Sequence, residues 1–421
     1  MIVNKLLLTI SVFIFAILPI QLQAQVNYHY DGKVTISPDQ GYIKARWKIS
    51  FITTPNKHIK FFLRDTLNVI EVNGSTILDT KIIASNDNNQ SIEITLKEDI
   101  AVNTDFITIT YDGVLLPEPM ENKINSINKD YVELNVDSFW FPIDNTFNKQ
   151  ITANFSVDTG KDWQAITTGS VRYAHNKVYI NNASPFLDIS MTLAKSFSKT
   201  GDARFTIYDL RKTVANMDVL QSAIKQCYEF LNRRFGENVP LPKGKFILHE
   251  RPSSGYARQT YIALSSIEKR STEDLTGFVC HELSHFWASK GNFSTVENWL
   301  NESFAVYTEL MAIRSIFGSN AYDDFISRFN KQILNKNLPS VWSVDDQSRR
   351  PYLVNYRKGP LLLAALEVRI GRPLFLKFIK AYMTNEIDTT PKLIQLIKEI
   401  SGEKHSQWFM KELSIDNSTS D

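Results

Sequence analysis

The chain has 421 residues, of which 47 are lysine or arginine and 45 are aspartate or glutamate, so its formal net charge is +2. This near balance gives no electrostatic reason to expect nucleic acid or an anionic membrane as a partner. The length and a hydrophobic content of 43% allow two or three domains with large cores.

Residues 1–24 are predicted to be a secretory signal peptide. Lys5 precedes an apolar run over residues 6–20, and a polar stretch leads to Ala24, which is the usual order of regions in such peptides. A membrane-spanning anchor is the alternative, but the apolar run is shorter than the roughly 20 residues that a spanning helix needs. We therefore expect cleavage after Ala24, no membrane anchor in the mature protein, and a periplasmic or secreted location.

Residues 25–200 are predicted to form an N-terminal β domain. Apolar and polar side chains alternate over residues 43–51, which is typical of a strand with one buried and one wet face. The same alternation recurs in three later segments, at residues 92–96, 107–111 and 151–157. Many short strands separated by Asn-Gly, Asp-Gly and Thr-Gly turns predict an antiparallel β-sandwich.

From residue 201 to residue 421 the pattern changes to one of strands mixed with helices. Residues 204–210 read as a strand, residues 216–236 as a helix that ends at a glycine, and most of the remaining chain as further helices. This order predicts an α+β domain with a helical C-terminal part. Cys227 and Cys280 both fall on predicted helices; we favour buried free thiols, and a disulfide between them is the alternative.

A predicted helix that begins near Ser271 carries the residues that indicate a metal site. His281, Glu282 and His285 form an HExxH pattern, in which the two histidines lie one turn apart on one face and can bind the same ion. Glu282 lies beside them, where it can act as general base towards a water on the metal. Glu302, on the next predicted helix, is the candidate third ligand. We therefore expect one catalytic Zn²⁺ per chain.

The segment WLNESFAVYTE, residues 299–309, together with the preceding HELSH, resembles the signature of the aminopeptidase N family of zinc metallopeptidases, which belongs to the gluzincins. The resemblance implies a thermolysin-like zinc peptidase domain over residues 201–421 and a preceding β domain. The interval between His285 and Glu302 is two residues shorter than is usual in the family, which affects the connecting loop more than the ligands. We expect a short form of the family, without the C-terminal helical-repeat domain of its long members.

Two further residues match functional positions of the family. Tyr356, in the segment YRKG, matches the tyrosine that donates a hydrogen bond to the carbonyl oxygen as it becomes anionic. We favour Tyr356 over Tyr352 for this role. Glu309 follows Glu302 by two helical turns and matches an acid that orients a metal-binding histidine; a solvated helical glutamate is the alternative.

The segment that begins at Gly255 lies where the family has a strand that holds an extended peptide along the edge of the cleft. We therefore expect Gly255, Tyr256, Ala257 and Arg258 to contact the substrate. The match is poor, because Arg258 stands where the family has the glutamate that binds the free amine of a substrate, and a guanidinium repels an ammonium group.

Several interpretations of Arg258 are open. The protein is not a simple aminopeptidase, or another acid such as Glu250 or Glu268 binds the amine, or Arg258 binds a carboxylate or acyl oxygen of the substrate. A solvated strand residue without a role in binding is a further alternative.

Together these features predict an exported zinc metallopeptidase that acts on peptides or small proteins. Two other functions are open: a hydrolase that uses the same zinc site on a substrate other than a peptide, and a peptide-binding protein without turnover. The side-chain preference, the choice between exopeptidase and endopeptidase, and the oligomeric state do not follow from the sequence.

Overall fold

The computed structural model describes residues 26–84, 88–115, 127–211, 216–249, 255–265 and 267–418. The predicted signal peptide and Glu250 lie outside these ranges. None of the described helices is long and apolar enough to cross a lipid bilayer.

The N-terminal domain is built from strands, as the alternating segments predicted. In β2, for example, Ile43, Trp47 and Phe51 are buried, whereas Lys44 and Lys48 between them are exposed. The strands of this domain are β1 (Tyr28–Ser37), β2 (Tyr42–Phe51), β3 (His58–Arg64), β4 (Leu67–Asn73), β5 (Ile77–Ala84), β6 (Asn89–Leu96), β7 (Phe106–Val114), β8 (Tyr131–Leu134), β9 (Ile143–Asp144), β10 (Ile151–Asp158), β11 (Gln164–Thr167), β12 (Ser170–Ala174), β13 (Lys177–Phe186) and β14 (Met191–Ala194).

These strands form three sheets. The seven-stranded sheet has the order β12-β13-β10-β1-β2-β7-β4, the four-stranded sheet the order β5-β6-β3-β9, and the three-stranded sheet the order β11-β14-β8. All neighbours are antiparallel except β1 and β10, which run parallel with Tyr28 opposite Ile151. A parallel pair needs a long crossover connection, and here the connection spans residues 38–150 and includes the strands of the four-stranded sheet.

Aromatic side chains fill the core of the N-terminal domain. Trp47 and Trp140 are fully buried, with ring centroids 5.8 Å apart in an edge-to-face arrangement. Each indole has a hydrogen-bond acceptor: Trp47 donates to the Tyr111 hydroxyl at 3.0 Å and Trp140 to the Ile189 carbonyl at 3.1 Å. Because no indole N–H is left unpaired, these large rings stabilise the core without a desolvation penalty.

The C-terminal domain places a mixed sheet beside a set of helices. The sheet has the order β15-β16-β17-β19-β18, and its first strand begins three residues before the predicted boundary at residue 201. The elements are β15 (Ser198–Gly201), β16 (Phe205–Asp209), α1 (Met217–Phe235), β17 (Gly244–Leu248), β18 (Tyr256–Arg258), β19 (Tyr261–Leu264), α2 (Thr272–Ser284), α3 (Asn298–Phe317), α4 (Ser319–Ile333), a π-helical turn (Val354–Lys358), α5 (Gly359–Ile370), α6 (Arg372–Thr384), α7 (Thr390–Ser401) and α8 (Glu403–Leu413).

Helix α2 begins as the sequence predicts. The Ser271 hydroxyl accepts a hydrogen bond of 3.1 Å from the backbone N–H of Asp274, which caps the first turn. Helix α3 is buried around most of its circumference, which is typical of a helix at the centre of a core. The start of α2 is therefore fixed by its cap, and α3 provides the rigid partner against which α2 packs.

Cys227 and Cys280 form a disulfide, so the prediction of free thiols is wrong. Cys227 lies on α1 and Cys280 on α2, and their Cα atoms are 5.2 Å apart because the two helices pack side by side. This distance is within the range of about 4.4–6.8 Å that a disulfide requires. The bond joins the helix that carries the HExxH pattern to α1.

Reduction of this disulfide is expected to lower the free energy of unfolding by about 2–4 kcal/mol, because the bond closes a loop of 53 residues in the unfolded chain. Equilibrium unfolding in urea, with and without a thiol reductant, measures this difference. The double variant Cys227→Ala, Cys280→Ala is the control and should unfold at the same urea concentration in both conditions. A wild-type protein indifferent to the reductant would contradict the expectation.

Candidate metal centre

Three ligand atoms meet where α2 packs against α3. His281 Nε2 lies 3.3 Å from His285 Nε2, and Glu302 Oε2 lies 3.6 Å from the first and 3.7 Å from the second. A tetrahedral ion with bonds of about 2.0–2.1 Å needs its ligand atoms about 3.3–3.4 Å apart. The three side chains form the only such cluster of His, Cys, Asp and Glu among the described residues, and their spacing fits zinc.

Helix packing brings these ligands together. His281 lies on the last turn of α2, and His285 follows that turn with its backbone still helical, at φ −59° and ψ −16°. Glu302 projects from the first turns of α3. Gly277 on α2 leaves room for the Glu309 side chain of α3: a β-carbon at position 277 would lie 2.8 Å from Glu309 Oε1. A larger residue at this position would displace the Glu309 carboxylate.

The charges at the centre favour a bound cation. Burial alone raises the pKa of the Glu302 carboxyl, but the imidazoles of His281 and His285 and the Tyr356 hydroxyl lower it to about 2. Burial lowers the pKa of His285 to about 4, so this imidazole is neutral at neutral pH and can act as a ligand. Glu302 Oε2 is buried and accepts no hydrogen bond. A buried carboxylate oxygen without a partner is costly unless a cation binds it.

Glu282 lies beside the cluster and is not part of it. Its side chain is only 4% exposed, and Oε1 lies so close to Gly255 that a β-carbon on Gly255 would be 2.8 Å away. Glycine at position 255 therefore allows the start of β18 to pass over the Glu282 carboxylate. The carboxylate lines both cavities beside the ligand cluster.

Glu309 is buried behind His281. Its Oε2 lies 3.9 Å from His281 Nδ1, and its side chain is 16% exposed. Burial raises the pKa of this carboxyl, and the charges of His281, Arg357 and Arg270 oppose that effect. The alternative of a solvated helical glutamate is therefore wrong, and Glu309 lies where it can orient the His281 ring.

Tyr356 lies over the His281 ring on the π-helical turn. The two rings are stacked with centroids 5.8 Å apart. Burial and the negative charges of Glu302 and Glu282 raise the pKa of Tyr356 well above its usual value, so the hydroxyl keeps its proton and remains a donor. Tyr352 is 56% exposed, and its hydroxyl accepts a hydrogen bond from Arg357, so the geometry favours Tyr356 as the donor at the centre.

Strand β18 forms the edge of the C-terminal sheet and lines the cleft beside the centre. Tyr256 is largely buried and donates from its hydroxyl to Glu133 at 2.9 Å. Ala257 pairs with Ile262 of β19. Among the described residues β18 pairs with β19 alone, and an edge strand of this kind is a surface to which an extended peptide can add.

Arg258 is neither solvated nor free. Its Nε donates to Asp188 Oδ2 at 2.8 Å, and its Nη2 lies 3.6 Å from Asp137 Oδ2. Both acids belong to the N-terminal domain, so Arg258 joins the two domains at the cleft. The interpretation of Arg258 as a solvated strand residue is wrong, and its positive charge is balanced by the two carboxylates.

Of the two acids suggested as substitutes for amine binding, the structure describes only Glu268. Glu268 forms an ion pair with Arg211 and does not line the cleft. Residues that the sequence analysis missed are Asp137, Asp188 and Glu133 of the N-terminal domain. A signal for two of them was present, because Glu133 and Asp137 are the acids in an otherwise mainly apolar and aromatic tract, residues 131–143.

Two cavities flank the centre and share Gly255, His281, Glu282 and Tyr356. The first, the Asp137 cavity, has a volume of about 220 Å³ and contains Asp137, Arg258 and the three candidate ligands. The second, the Arg270 cavity, has a volume of about 530 Å³ and extends between α2, α4 and the π-helical turn. A ligand that lies across the centre therefore enters both cavities.

Comparison with known proteins gives a consistent result. Residues 208–413 match the family described as the Peptidase family M1 domain. The sequence is 28% identical over 217 residues to "Aminopeptidase N" of Streptomyces lividans, a match that covers 45% of this chain and 25% of that protein. The chain thus spans about a quarter of the length of the curated relatives that it matches.

Similar solved structures cover nearly the whole chain. The M1 zinc metallopeptidase from Deinococcus radiodurans has a TM-score of 0.71 at 15% sequence identity, with 94% of this chain and 95% of that chain covered. Native yeast LTA4 hydrolase has a TM-score of 0.71 at 17% identity, with 91% of this chain and 66% of that chain covered.

The β domain, the mixed α/β domain and the HExxH helix with its distal glutamate define the architecture of a two-domain M1 metallopeptidase. Residues 208–413 form a domain of peptidase family M1, which confirms the resemblance to the aminopeptidase N family of zinc metallopeptidases that the sequence motifs indicated. The fold predicted from the sequence is confirmed.

The buried ion pair of Arg258 and Asp188 is expected to make the stability of the protein depend on pH. Burial, partly offset by Arg258 and Ser190, raises the pKa of Asp188 from 3.8 to about 6. Between about pH 4 and pH 6 the native state therefore binds more protons than the unfolded state, and the contribution of Asp188 to stability falls as the pH rises. The free energy of unfolding of the wild-type protein, measured relative to that of Asp188→Asn, should fall by about 2–3 kcal/mol between pH 4 and pH 6. Urea unfolding at a series of pH values measures this fall. If the free energy of unfolding depended on pH in the same way in both proteins, the expectation would be contradicted.

Proposed function

We propose that this protein is an exported zinc metallopeptidase that hydrolyses peptide bonds. The observation that carries the proposal is the triangle of His281, His285 and Glu302, whose edges of 3.3 to 3.7 Å fit one tetrahedral zinc ion. Three protein ligands leave a fourth position open, which is typical of catalytic rather than structural zinc sites.

Each remaining group at the centre has a chemical role. When bound, zinc would supply a Lewis acid that polarises the substrate carbonyl and lowers the pKa of a water. Glu282 accepts a proton from the attacking water and passes it to the leaving amine. Tyr356 keeps its proton and donates to the carbonyl oxygen as negative charge develops there, an interaction that can lower the barrier by about 3–4 kcal/mol.

The free edge of β18 supports a peptide as the substrate. An extended chain that pairs with Gly255–Arg258 would place its backbone beside Glu282 and Tyr356. Hydrolysis of a substrate other than a peptide is the second candidate, because a structural neighbour is an LTA4 hydrolase. The buried base Glu282 and the donor Tyr356 count against a binding protein without turnover, since binding alone requires neither.

Asp137 supports cleavage next to a free N-terminus. The Arg258 guanidinium lies between the carboxylates of Asp137 and Asp188, so these three side chains together carry one net negative charge. The Asp137 side chain is 47% exposed. An ammonium group in the Asp137 cavity can pair with this carboxylate. We therefore propose that Asp137 takes the place of the missing glutamate at position 258, which favours aminopeptidase over endopeptidase activity.

The proposal includes export, since the chain begins with a predicted signal peptide. A disulfide between Cys227 and Cys280 supports an oxidising compartment such as the periplasm or the exterior of the cell, because cytosolic thiols are kept reduced.

Replacement of the base should separate metal binding from turnover. Glu282→Gln is expected to bind one zinc per chain and to lose at least about a thousandfold in kcat on a peptide, because the neutral amide cannot accept the proton. His281→Ala is the matched variant and should lose both zinc and activity. Metal analysis by mass spectrometry and a peptide cleavage assay measure these quantities; undiminished turnover in Glu282→Gln removes it from the mechanism.

Peptides with free and acetylated N-termini test the role of Asp137. The wild-type protein should cleave the free-amine peptide about tenfold or more faster, measured as kcat/KM, because acetylation removes the ammonium charge. Asp137→Asn should reduce this preference mainly through KM. Equal cleavage of both peptides would instead indicate that the balanced Arg258 group does not select for an amine.

A further inference from the structure

The Arg270 cavity contains a guanidinium group, that of Arg270, for which the described residues provide no hydrogen-bond partner. Arg270 immediately precedes the cap of α2, and its guanidinium lies 3.8 Å from the centroid of the Phe278 ring. Its Nε is buried and donates no hydrogen bond. Within the described ranges, no oxygen accepts a hydrogen bond from its side chain. Burial is the largest influence on its pKa and lowers it, which indicates a partly desolvated cation that faces the cavity.

Arg357, a second guanidinium in the same cavity, forms no hydrogen bond or ion pair with a carboxylate of the described residues. Arg357 donates to the Gln332 side chain, to the Tyr356 carbonyl at 2.7 Å and to the Tyr352 hydroxyl at 2.9 Å. All three acceptors are neutral. The third arginine of the cavity, Arg328, is paired with Asp274 at 2.9 Å. Two of the three guanidinium groups therefore remain without a carboxylate among the described residues.

The acids near Arg270 are held by other groups. Glu309, Asp274 and Glu282 all raise the pKa of Arg270 through their charge, so they lie close enough to stabilise the cation. However, Glu309 lies against His281 and Asp274 pairs with Arg328. Glu282 lies against Gly255. None of them accepts a hydrogen bond from Arg270, so the donors of Arg270 are available to a ligand.

The cavity is continuous with the metal centre. Its wall includes His281, Glu282 and Tyr356, and its volume of about 530 Å³ is in the range of small-ligand sites. An extended chain advances about 3.3–3.6 Å per residue. A substrate at the metal centre that extends past Glu282 therefore enters the same cavity that Arg270 lines.

We propose that the Arg270 cavity binds a carboxylate of the substrate, with Arg270 as the principal partner and Arg357 as a second cation. This inference rests on the proposed function, since it concerns the same site. It names the substrate class as short peptides with a free C-terminal carboxylate or with an acidic side chain. A guanidinium presents its donors in a planar fork that matches the two oxygens of a carboxylate. The carboxylate is either the C-terminus of a short peptide or an acidic side chain next to the scissile bond.

The first test compares matched peptides with the zinc-loaded protein. One pair differs only in a C-terminal carboxylate or amide, and a second pair, both amidated, differs only in Glu or Gln after the scissile bond. In at least one pair the acid should be cleaved with a kcat/KM about 10- to 100-fold higher, mainly through KM, as expected for a charged hydrogen bond. The pair that shows the preference identifies the source of the carboxylate.

Arg270→Gln should bring that ratio close to one. Partial unfolding of the variant would lower the rates for both members of a pair equally and leave their ratio unchanged, so the ratio reports on recognition alone. Arg369→Gln is the matched control: its guanidinium also lies over an aromatic ring, 4.4 Å from the Trp408 centroid, but it is exposed and outside the cavity. This control should keep the wild-type ratio.

A binding measurement makes the inference independent of turnover. Titration calorimetry with zinc-loaded Glu282→Gln should give a lower Kd for the acidic peptide than for its amide partner. In the double variant Glu282→Gln, Arg270→Gln the two Kd values should be equal. If no peptide is cleaved but this Arg270-dependent difference is present, the proposed function fails and the carboxylate site stands. If peptides are cleaved but neither pair shows a preference, the carboxylate site is refuted and the proposed function stands.

Discussion

The packing of α2 against α3 fixes the distance between the two histidines and Glu302, and the other features of the site depend on it. Glycine at position 277 leaves room for the Glu309 side chain between the two helices, and the disulfide from Cys280 to Cys227 joins α2 to α1. A metal centre requires its ligands at nearly fixed distances. Two buried helices in contact supply such distances, because close-packed side chains allow little relative movement.

The N-terminal domain contributes charge to the cleft as well as support. Asp188 and Asp137 balance Arg258, and Glu133 accepts from Tyr256, so the edge strand of the C-terminal domain is held by acids from the other domain. The pair of Arg258 and Asp188 shows how a residue type can mislead when it is considered alone. An arginine repels an ammonium group, but an arginine between two carboxylates is part of a group with net negative charge.

The two cavities differ in their polar groups, although they share the metal centre. The Asp137 cavity contains a half-exposed carboxylate as well as Arg258 and Arg349, whereas the Arg270 cavity contains two guanidinium groups that have no carboxylate partner among the described residues. A peptide has an ammonium group at one end and a carboxylate at the other. If the protein acts on peptides as proposed, a short peptide would lie across the centre with its ammonium group towards Asp137 and its carboxylate towards Arg270.

Much of the fold and the candidate ligand set could be predicted from the sequence. Alternation of apolar residues predicted the β domain, the Ser271 cap predicted the start of α2, and the HExxH spacing placed two imidazoles on one face, because these features depend on neighbours within a few residues. The disulfide could not be predicted, since it depends on how α1 and α2 pack. The ion pairs of Arg258 could not be predicted either, since Asp137 and Asp188 lie far from it along the chain.

The sequence by itself determined which residues could bind zinc and which one could act as a base, because their spacing along a helix sets their directions. Only the tertiary structure decided which charges remain free at the centre. Whether Arg258 or Arg270 has a carboxylate partner depends on side chains from distant elements, and their positions are set by packing rather than by local backbone geometry.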